Sequence, residues 1–247
     1  MPIKRLFANQ PLSPGQRIAL DTDAAHYVGR VLRARVGDKL ALFNDDGHEY
    51  IANIDALAKR ELHVSIESRH TPAVESPIAI TLLQALSRHE KMDWVIQKSV
   101  ELGVSAIQPV ITERSVMQLD ASRAEKRLSH WQSVAIHAAQ QSGRCRLTKI
   151  APPLQLNEAL ATDAGTELAL VATPTADQTL SHVLTQRPGA ASLGILVGAE
   201  GGLTESEVAS AKQAGFAACR SGPRVLRTET AAISLIAIAQ YALGDIG

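Results

Sequence analysis

Aromatic side chains are scarce in this 247-residue chain: Phe, Trp and Tyr together make up 3% of it. A surface that grips single-stranded nucleic acid chiefly by stacking bases on rings is thereby excluded, and any nucleic-acid contact must be mostly polar. Cysteine is scarcer still. Cys145 and Cys219 lack metal-ligand spacing, and two thiols in a chain of this length make no disulfide framework, so buried reduced thiols and no metal site are expected. Net charge is absent too, 25 Lys and Arg balancing 25 Asp and Glu, which argues against attachment to nucleic acid by bulk charge alone. No stretch reaches the ~18 apolar residues of a membrane span, and the opening Met1-Pro-Ile-Lys-Arg-Leu-Phe7 has no apolar core of signal length. A cytoplasmic protein without a membrane partner is expected.

What is present is a composition able to fold, with 45% hydrophobic and 20% charged residues. At roughly 150 residues per domain the length allows one large or two modest domains. Charge is unevenly spread: residues 88–149 hold ten basic and six acidic side chains, whereas 150–247 hold five and nine.

Between Asp21 and Arg35 the apolar positions Val28, Val31 and Leu32 recur at helical spacing, and Gly37-Asp38 ends the pattern. Alternating runs follow at 39–43, 49–57 and 61–68, with Asn44-Asp-Asp-Gly47 as a turn, predicting an antiparallel meander in a small barrel. Thr71-Pro-Ala-Val-Glu-Ser-Pro77 suits a connection, which places the domain boundary near residue 73: a barrel over 1–72 and a second domain over 73–247. Beyond it, short apolar runs alternate with helical patterns. Strands are expected at 78–83, 106–110, 167–172, 192–198 and 217–220, and helices at 91–102, 124–141, 177–186, 205–214 and 229–243. The alternation predicts an α/β fold with a mostly parallel sheet covered on both faces.

Two segments promise chemistry. In Leu193-Gly-Ile-Leu-Val-Gly-Ala-Glu-Gly-Gly-Leu-Thr-Glu-Ser-Glu-Val208 an apolar strand runs into three glycines, and Thr204 with Glu207 forms a capping box for the next helix. Glycines at the carboxyl end of a parallel strand let backbone groups approach a ligand. The spacing matches neither the dinucleotide nor the triphosphate loop, and Glu200 would repel phosphate while suiting a cationic centre or a sugar hydroxyl. Taken alone, the loop also fits a plain tight turn. The second segment, Ser221-Gly-Pro-Arg-Val-Leu-Arg-Thr-Glu-Thr-Ala-Ala-Ile233, puts Arg224 and Arg227 just before a helix that Thr228 or Thr230 can cap. Cations there are mildly unfavourable and suit an anionic partner, with a surface ion pair to Glu229 as the plainer reading. The helix over 231–243 is apolar around most of its circumference, so it belongs in the core or against a second subunit.

These two loops, in this order and leading into this helix, resemble the SPOUT class of RNA methyltransferases, whose sheet contains a deep trefoil knot. Within it the chain is similar to the RsmE family, which methylates N3 of a uridine in 16S ribosomal RNA, over nearly its whole length. The family's first loop usually reads G-P-E-G-G, here Gly198-Ala-Glu-Gly-Gly202, and its second L-G-P-R-[IV]-L-R-x-E-T-A, here Ser221 to Ala231. Also similar are Lys91 to Lys98 with Glu101-Leu-Gly103, Glu113-Arg-Ser115 and Gln140-Gln-Ser-Gly-Arg144. His26 with Val31-Leu-Arg33 and Gly37-Asp38 looks like the family's PUA-like RNA-binding barrel. The chain departs from the pattern at Ala199 and Thr148, each in place of a proline, and at Ser221, in place of a leucine.

The resemblance implies a homodimer that uses S-adenosylmethionine and acts on 16S rRNA within the assembled 30S subunit. The cofactor would lie against Val197, Gly198, Glu200, Gly201, Gly202, Ser221, Gly222, Val225 and Leu226. Methylation at a uridine ring nitrogen needs its proton removed or its anion stabilised, roles for Arg224 or Arg227 as cations and for Glu229 or Glu200 as acceptor. Arg30, Arg33, Arg35, Lys91, Arg114 and Arg144 are the candidate RNA contacts. Competing readings are another SPOUT specificity, a small-molecule α/β enzyme and a non-catalytic RNA-binding module in ribosome assembly.

Overall fold

The computed structural model describes residues 3–115, 121–162 and 166–247. They divide into two compact units, one of residues 1–75 with 139–147 and the other of 76–138 with 148–247.

The first unit is built on strands β1 (Lys4–Phe7), β2 (Arg17–Leu20), β3 (Lys39–Phe43), β4 (Glu49–Leu57) and β5 (Leu62–His70), with the short helix α1 (Thr22–His26) between β2 and β3. The hydrogen-bonded order is β1-β3-β4-β5-β2. The three expected runs form the antiparallel centre β3-β4-β5. Along β4 every second residue from Tyr50 to Ile54 is buried, and along β5 so are Leu62, Val64 and Ile66, because side chains alternate across a strand and only one face is apolar. Those residues join Leu6, Val28, Leu40 and Leu42 in one core. The turn after β3 works as read, with Asp45 and Gly47 both at positive φ.

Two departures stand out. The sequence pattern missed β1 and β2, four-residue strands, and β1 pairs parallel to β3, so the sheet is more than a meander. The expected helix after Asp21 is short and irregular: Asp21 caps it by accepting the Ala24 N–H at 2.7 Å, and from Tyr27 to Val31 it widens into a π-helical turn.

The second unit runs β6 (Ala79–Ala85), α2 (His89–Glu101), β7 (Ala106–Ile111), α3 (Ala121–Ser142), β8 (Lys149–Ile150), β9 (Leu154–Gln155), α4 (Leu156–Thr162), β10 (Leu168–Ala172), α5 (Leu180–Thr185), β11 (Ser192–Val197), α6 (Glu205–Gln213), β12 (Ala217–Cys219) and α7 (Thr228–Leu243). Its sheet order is β12-β10-β11-β6-β7-β8, every pair is parallel, and β9 also pairs with β7. Helix α7 packs on β6, β11, α2 and α5, while α4 and α6 pack on one another and on β7, β10 and β12. Layers of helix over both faces explain why β6 and β11 read as almost unbroken apolar runs.

Helix α2 buries Met92, Val95, Ile96 and Ser99 on one stripe and is followed by Gly103 at φ +82. There the chain meets α7: buried Gln240 donates to the Leu102 carbonyl at 2.7 Å and accepts from Ser76 at 3.0 Å. Helix α7 buries Ala232, Leu235, Ile236 and Ala239 on one stripe, with Ile233 and Ile238 half-buried outside it. Among the described residues no helix is long and apolar enough to cross a membrane.

Candidate functional site

Strands β12, β10 and β11 are neighbours, and the loops that leave their carboxyl ends converge on a cavity of about 680 Å³. Open parallel sheets commonly bind ligands in this position. One wall is Ala172 to Thr175 after β10, a second is 198–205 after β11, and a third is 219–226 after β12.

The middle wall is a turn that only glycine permits. A Cβ on Gly198 would lie 2.8 Å from the Gly202 carbonyl carbon and 2.9 Å from the Leu203 nitrogen, so the loop folds back on itself at that residue. The Gly202 N–H donates to the Ala199 carbonyl at 2.9 Å and Gly202 takes φ +73. Ala199 is buried in the core beside Leu196 and Phe216, so this turn closes without the proline usual at its position.

Two residues of the β7–α3 connection brace that loop. The Arg114 guanidinium donates to the Gly201 carbonyl at 2.8 Å and its stem packs against Gly201. Glu207 completes the capping box of α6, accepting the Thr204 N–H at 2.8 Å, while its other oxygen accepts the Glu113 N–H at 2.8 Å. A third brace comes from behind. Buried Thr228 donates its hydroxyl proton to the Gly198 carbonyl at 2.6 Å and accepts from the Gln84 amide at 3.0 Å. Thr228 is therefore not the cap of α7. The N-cap is Arg227, without a side-chain capping bond, and Thr228 instead ties α7 to β6 and to the glycine loop.

Charge at the site is organised around Lys91. Its ammonium lies 3.3 Å from Glu200 and 3.7 Å from Glu229. Glu200 also accepts the Arg88 N–H at 3.2 Å. Burial pushes the Glu200 carboxyl up, but hydrogen bonds from its own backbone and from Arg88, together with Lys91, outweigh this and hold it below the usual carboxylate range. Glu229 pairs with Lys91, not with either loop arginine, and its Oε2 is enclosed without a hydrogen bond. Arg224 and Arg227 are exposed and make no ion pair among the described residues; Arg224 lines the cavity and Arg227 does not. Cys219 forms part of the floor, its thiol pushed up to about 11 by burial, and Cys145 is likewise a free, buried thiol.

The structure thus brings Val197, Gly198, Glu200, Gly201, Gly202, Ser221, Gly222, Val225 and Leu226 to one cavity, with Arg224 and Arg114 beside them, and leaves Arg227 and Glu229 outside its lining. Of the basic candidates, Arg30, Arg33 and Arg35 are exposed on the first unit. Arg144 is not available to RNA. Its side chain is only 6% exposed and its Nε donates to Glu75 at 2.9 Å, while the other Glu75 oxygen accepts the N–H groups of Cys145 and Arg146. It closes the 139–147 segment onto the first unit. Lys91, read as an RNA contact, is spent on two carboxylates.

Sequence reasoning missed Gln84, Arg88 and the 172–175 wall. A lone amide inside the apolar run of β6 was the available signal for Gln84, whereas Arg88 acts through its backbone and leaves none. Among the described residues no cluster of three His, Cys, Asp or Glu side chains is arranged to hold a metal ion.

Comparison with known proteins adds to this geometry. The RNA methyltransferase domain family matches residues 74–240, and the RNA methyltransferase PUA domain family matches 20–67. Ribosomal RNA small subunit methyltransferase E of Buchnera aphidicola subsp. Schizaphis graminum is 32% identical over 244 residues, covering 99% of this chain and 98% of its own length. The protein of the same description from Bacillus subtilis is 28% identical over 237 residues, 94% of this chain and 93% of its own. A crystal structure of ribosomal RNA small subunit methyltransferase E from Neisseria gonorrhoeae, bound to S-adenosyl methionine, superposes with a TM-score of 0.91 at 37% identity, covering 99% of this chain and all of that one.

Proposed function

The chain belongs to the ribosomal RNA small subunit methyltransferase E family, and from that premise we propose that it transfers a methyl group from S-adenosylmethionine to N3 of a uridine in 16S rRNA. The observation that supports this most directly is the convergence of the three loops on one cavity, closed at Gly198 by a turn that excludes any side chain. The donor set suits the cofactor. Glu200 offers a stable negative charge to a sulfonium or a ribose hydroxyl, Leu226 and Val225 offer apolar surface to an adenine, and a cavity of about 680 Å³ falls in the range of small-molecule sites.

The cofactor supplies an electrophilic methyl group; the chain's own residues must orient it and manage the uridine. Loss of the N3 proton leaves negative charge spread over N3 and the base carbonyls; N3 would then attack the methyl carbon as its bond to sulfur breaks, which consumes that charge and releases the neutral thioether. Arg224, exposed at the cavity and in no ion pair among the described residues, is the cation we assign to stabilise that charge. Glu200 makes a weak base, since its neighbours hold its carboxyl below the usual carboxylate range. Glu229 is the other candidate acceptor; it pairs with Lys91 at 3.7 Å and stands behind the cavity lining, so a part in proton removal would require the loop to move or the substrate to reach past it.

Further parts of the reading are a PUA-like RNA-binding barrel over 1–72, a catalytic domain over 73–247 whose carboxyl end forms the trefoil knot, action on the assembled 30S subunit, and a cytoplasmic homodimer. Exposed apolar surface supports the dimer: Trp94 on α2 is 51% exposed and Tyr241 on α7 72%. Gly198→Ala tests the core of the proposal. Calorimetry should show S-adenosylmethionine binding to the parent and none to the variant, with both folded; equal affinity would separate the cavity from the cofactor.

A further inference from the structure

The first unit contains a cavity of its own, of about 530 Å³, between α1 with its π-helical turn and the tip of the β4–β5 hairpin. Arg30 reaches it from the π turn, Lys59 and Arg60 from the hairpin tip, and His26 from α1. Ala25, Leu57 and Ala58 add an apolar wall, and Asp23 and Thr22 supply acceptors.

Of the cations of this unit, Lys4 and Arg69 form no ion pair among the described residues and Arg146 donates to the Asp45 carbonyl at 3.1 Å; the others fall into two sets. Arg5 pairs with Glu49, Arg17 with Asp55, Lys39 with Glu67 and Arg144 with Glu75. Arg30, Lys59 and Arg60 are exposed and pair with no carboxylate among the described residues, and neither do Arg33 and Arg35 just beyond them. The backbone departs from regular geometry at the same place, with the π turn over Tyr27–Val31 and Arg33 at φ +52, a conformation uncommon for any residue but glycine. Uncompensated cations gathered at a concave, partly apolar site fit an anion that also has a flat apolar face.

We propose that this cavity is a nucleotide subsite for the RNA substrate, taking one unstacked nucleotide with its phosphate on Arg30, Lys59 and Arg60 and its nucleoside against the wall of Ala25, Leu57 and Ala58. Its volume suits a ligand of that size, and proteins read unpaired RNA largely by holding splayed-out nucleotides. The scarcity of aromatic rings is no obstacle, because the contact is ionic and aliphatic. The inference rests on the reading of the chain as an rRNA methyltransferase, and it adds a second hold on RNA, far along the chain from the methyl-transfer loops.

The test is the double charge reversal Lys59→Glu, Arg60→Glu, with Lys59→Gln, Arg60→Gln as the milder form should the first fail to fold. Binding of 30S subunits lacking the modification is followed by filter retention, and methyl transfer in parallel. The subsite predicts that Kd and KM for the subunit rise tenfold or more while S-adenosylmethionine affinity stays within twofold. It also predicts that releasing the one phosphate held there lowers the slope of log Kd against log salt by about 0.7 in the glutamine form, the single-strand value per neutralised phosphate. The exchange Lys59→Arg, Arg60→Lys should restore binding. Subunit affinity within twofold of the parent, or an unchanged salt slope, overturns the subsite. A parent that binds subunits but transfers no methyl group would sink the functional reading instead, leaving the binding arm to decide the subsite.

Discussion

Thr228→Val is the most informative single substitution at the methyl-transfer loops. The side chains are nearly the same shape, so packing is retained and the hydroxyl alone is lost. That hydroxyl donates to the Gly198 carbonyl at 2.6 Å and accepts from the Gln84 amide at 3.0 Å, all three residues lying inside the protein. An unsatisfied buried polar group costs about 1–3 kcal/mol. The Gly198 carbonyl bears that cost in full, whereas Gln84 keeps its bond to the Ala85 carbonyl at 3.0 Å and bears less. The sum is about 2–4 kcal/mol, and at about 2–4 °C per kcal/mol for a chain of this length the Tm should fall by roughly 5–15 °C. Scanning calorimetry measures it, following the transition of the unit with the parallel sheet, and Thr228→Ser should stay near the parent. Because the same bond fixes the glycine turn, S-adenosylmethionine affinity should weaken alongside. A loss below about 2 °C with unchanged affinity would refute the argument that this hydroxyl anchors the loop.

The remaining predictions concern the braces and charges around that turn. Arg114→Met removes the bond to Gly201 while keeping the apolar stem, and at about 1 kcal/mol for a hydrogen bond it should raise KM for S-adenosylmethionine roughly fivefold; an unchanged KM would show that the loop stands without it. Arg224→Ala should lower kcat by about 100-fold, the scale of losing one stabiliser of developing charge, with cofactor affinity nearly intact, and Arg227→Ala should cost less because Arg227 lies outside the cavity lining. Equal losses would reverse those assignments. The depressed Glu200 carboxyl contributes stability that is complete above its unfolded pKa near 4.5 and is lost as pH falls through the lower folded value. Glu200→Gln should therefore flatten the acid limb of an unfolding-versus-pH curve below about pH 4.5, and a limb of unchanged steepness would mean the pairing with Lys91 and Arg88 is not felt in stability.

The parallel-sheet unit was legible because burial on both faces turns β6 and β11 into apolar runs, and because the capping box at Thr204 and the glycine after α2 mark helix ends locally. What escaped was short or nonlocal. Lys4–Phe7 is a strand only because β3, more than thirty residues on, offers it an edge, and Leu156–Thr162 is too brief for a helical period to emerge. The candidate site divides the same way. The glycine turn announces itself through residue type, but the partners that hold it do not. Thr228 looks like a cap until β6 presents Gln84 to its hydroxyl, Lys91 looks like a phosphate contact until Glu200 and Glu229 close around it, and Arg144 looks like surface charge until Glu75 meets it in the interior. Charge in a sequence says nothing of which carboxylate the fold will bring beside it.

The most direct measurement incubates the protein with S-adenosylmethionine carrying a labelled methyl group and 30S subunits from a strain lacking the modification, then digests the RNA and identifies the labelled nucleoside. Label in 3-methyluridine of 16S rRNA, lost in Gly198→Ala, is the predicted result. Label in any other nucleoside, or none with a folded protein and a competent subunit, would contradict it.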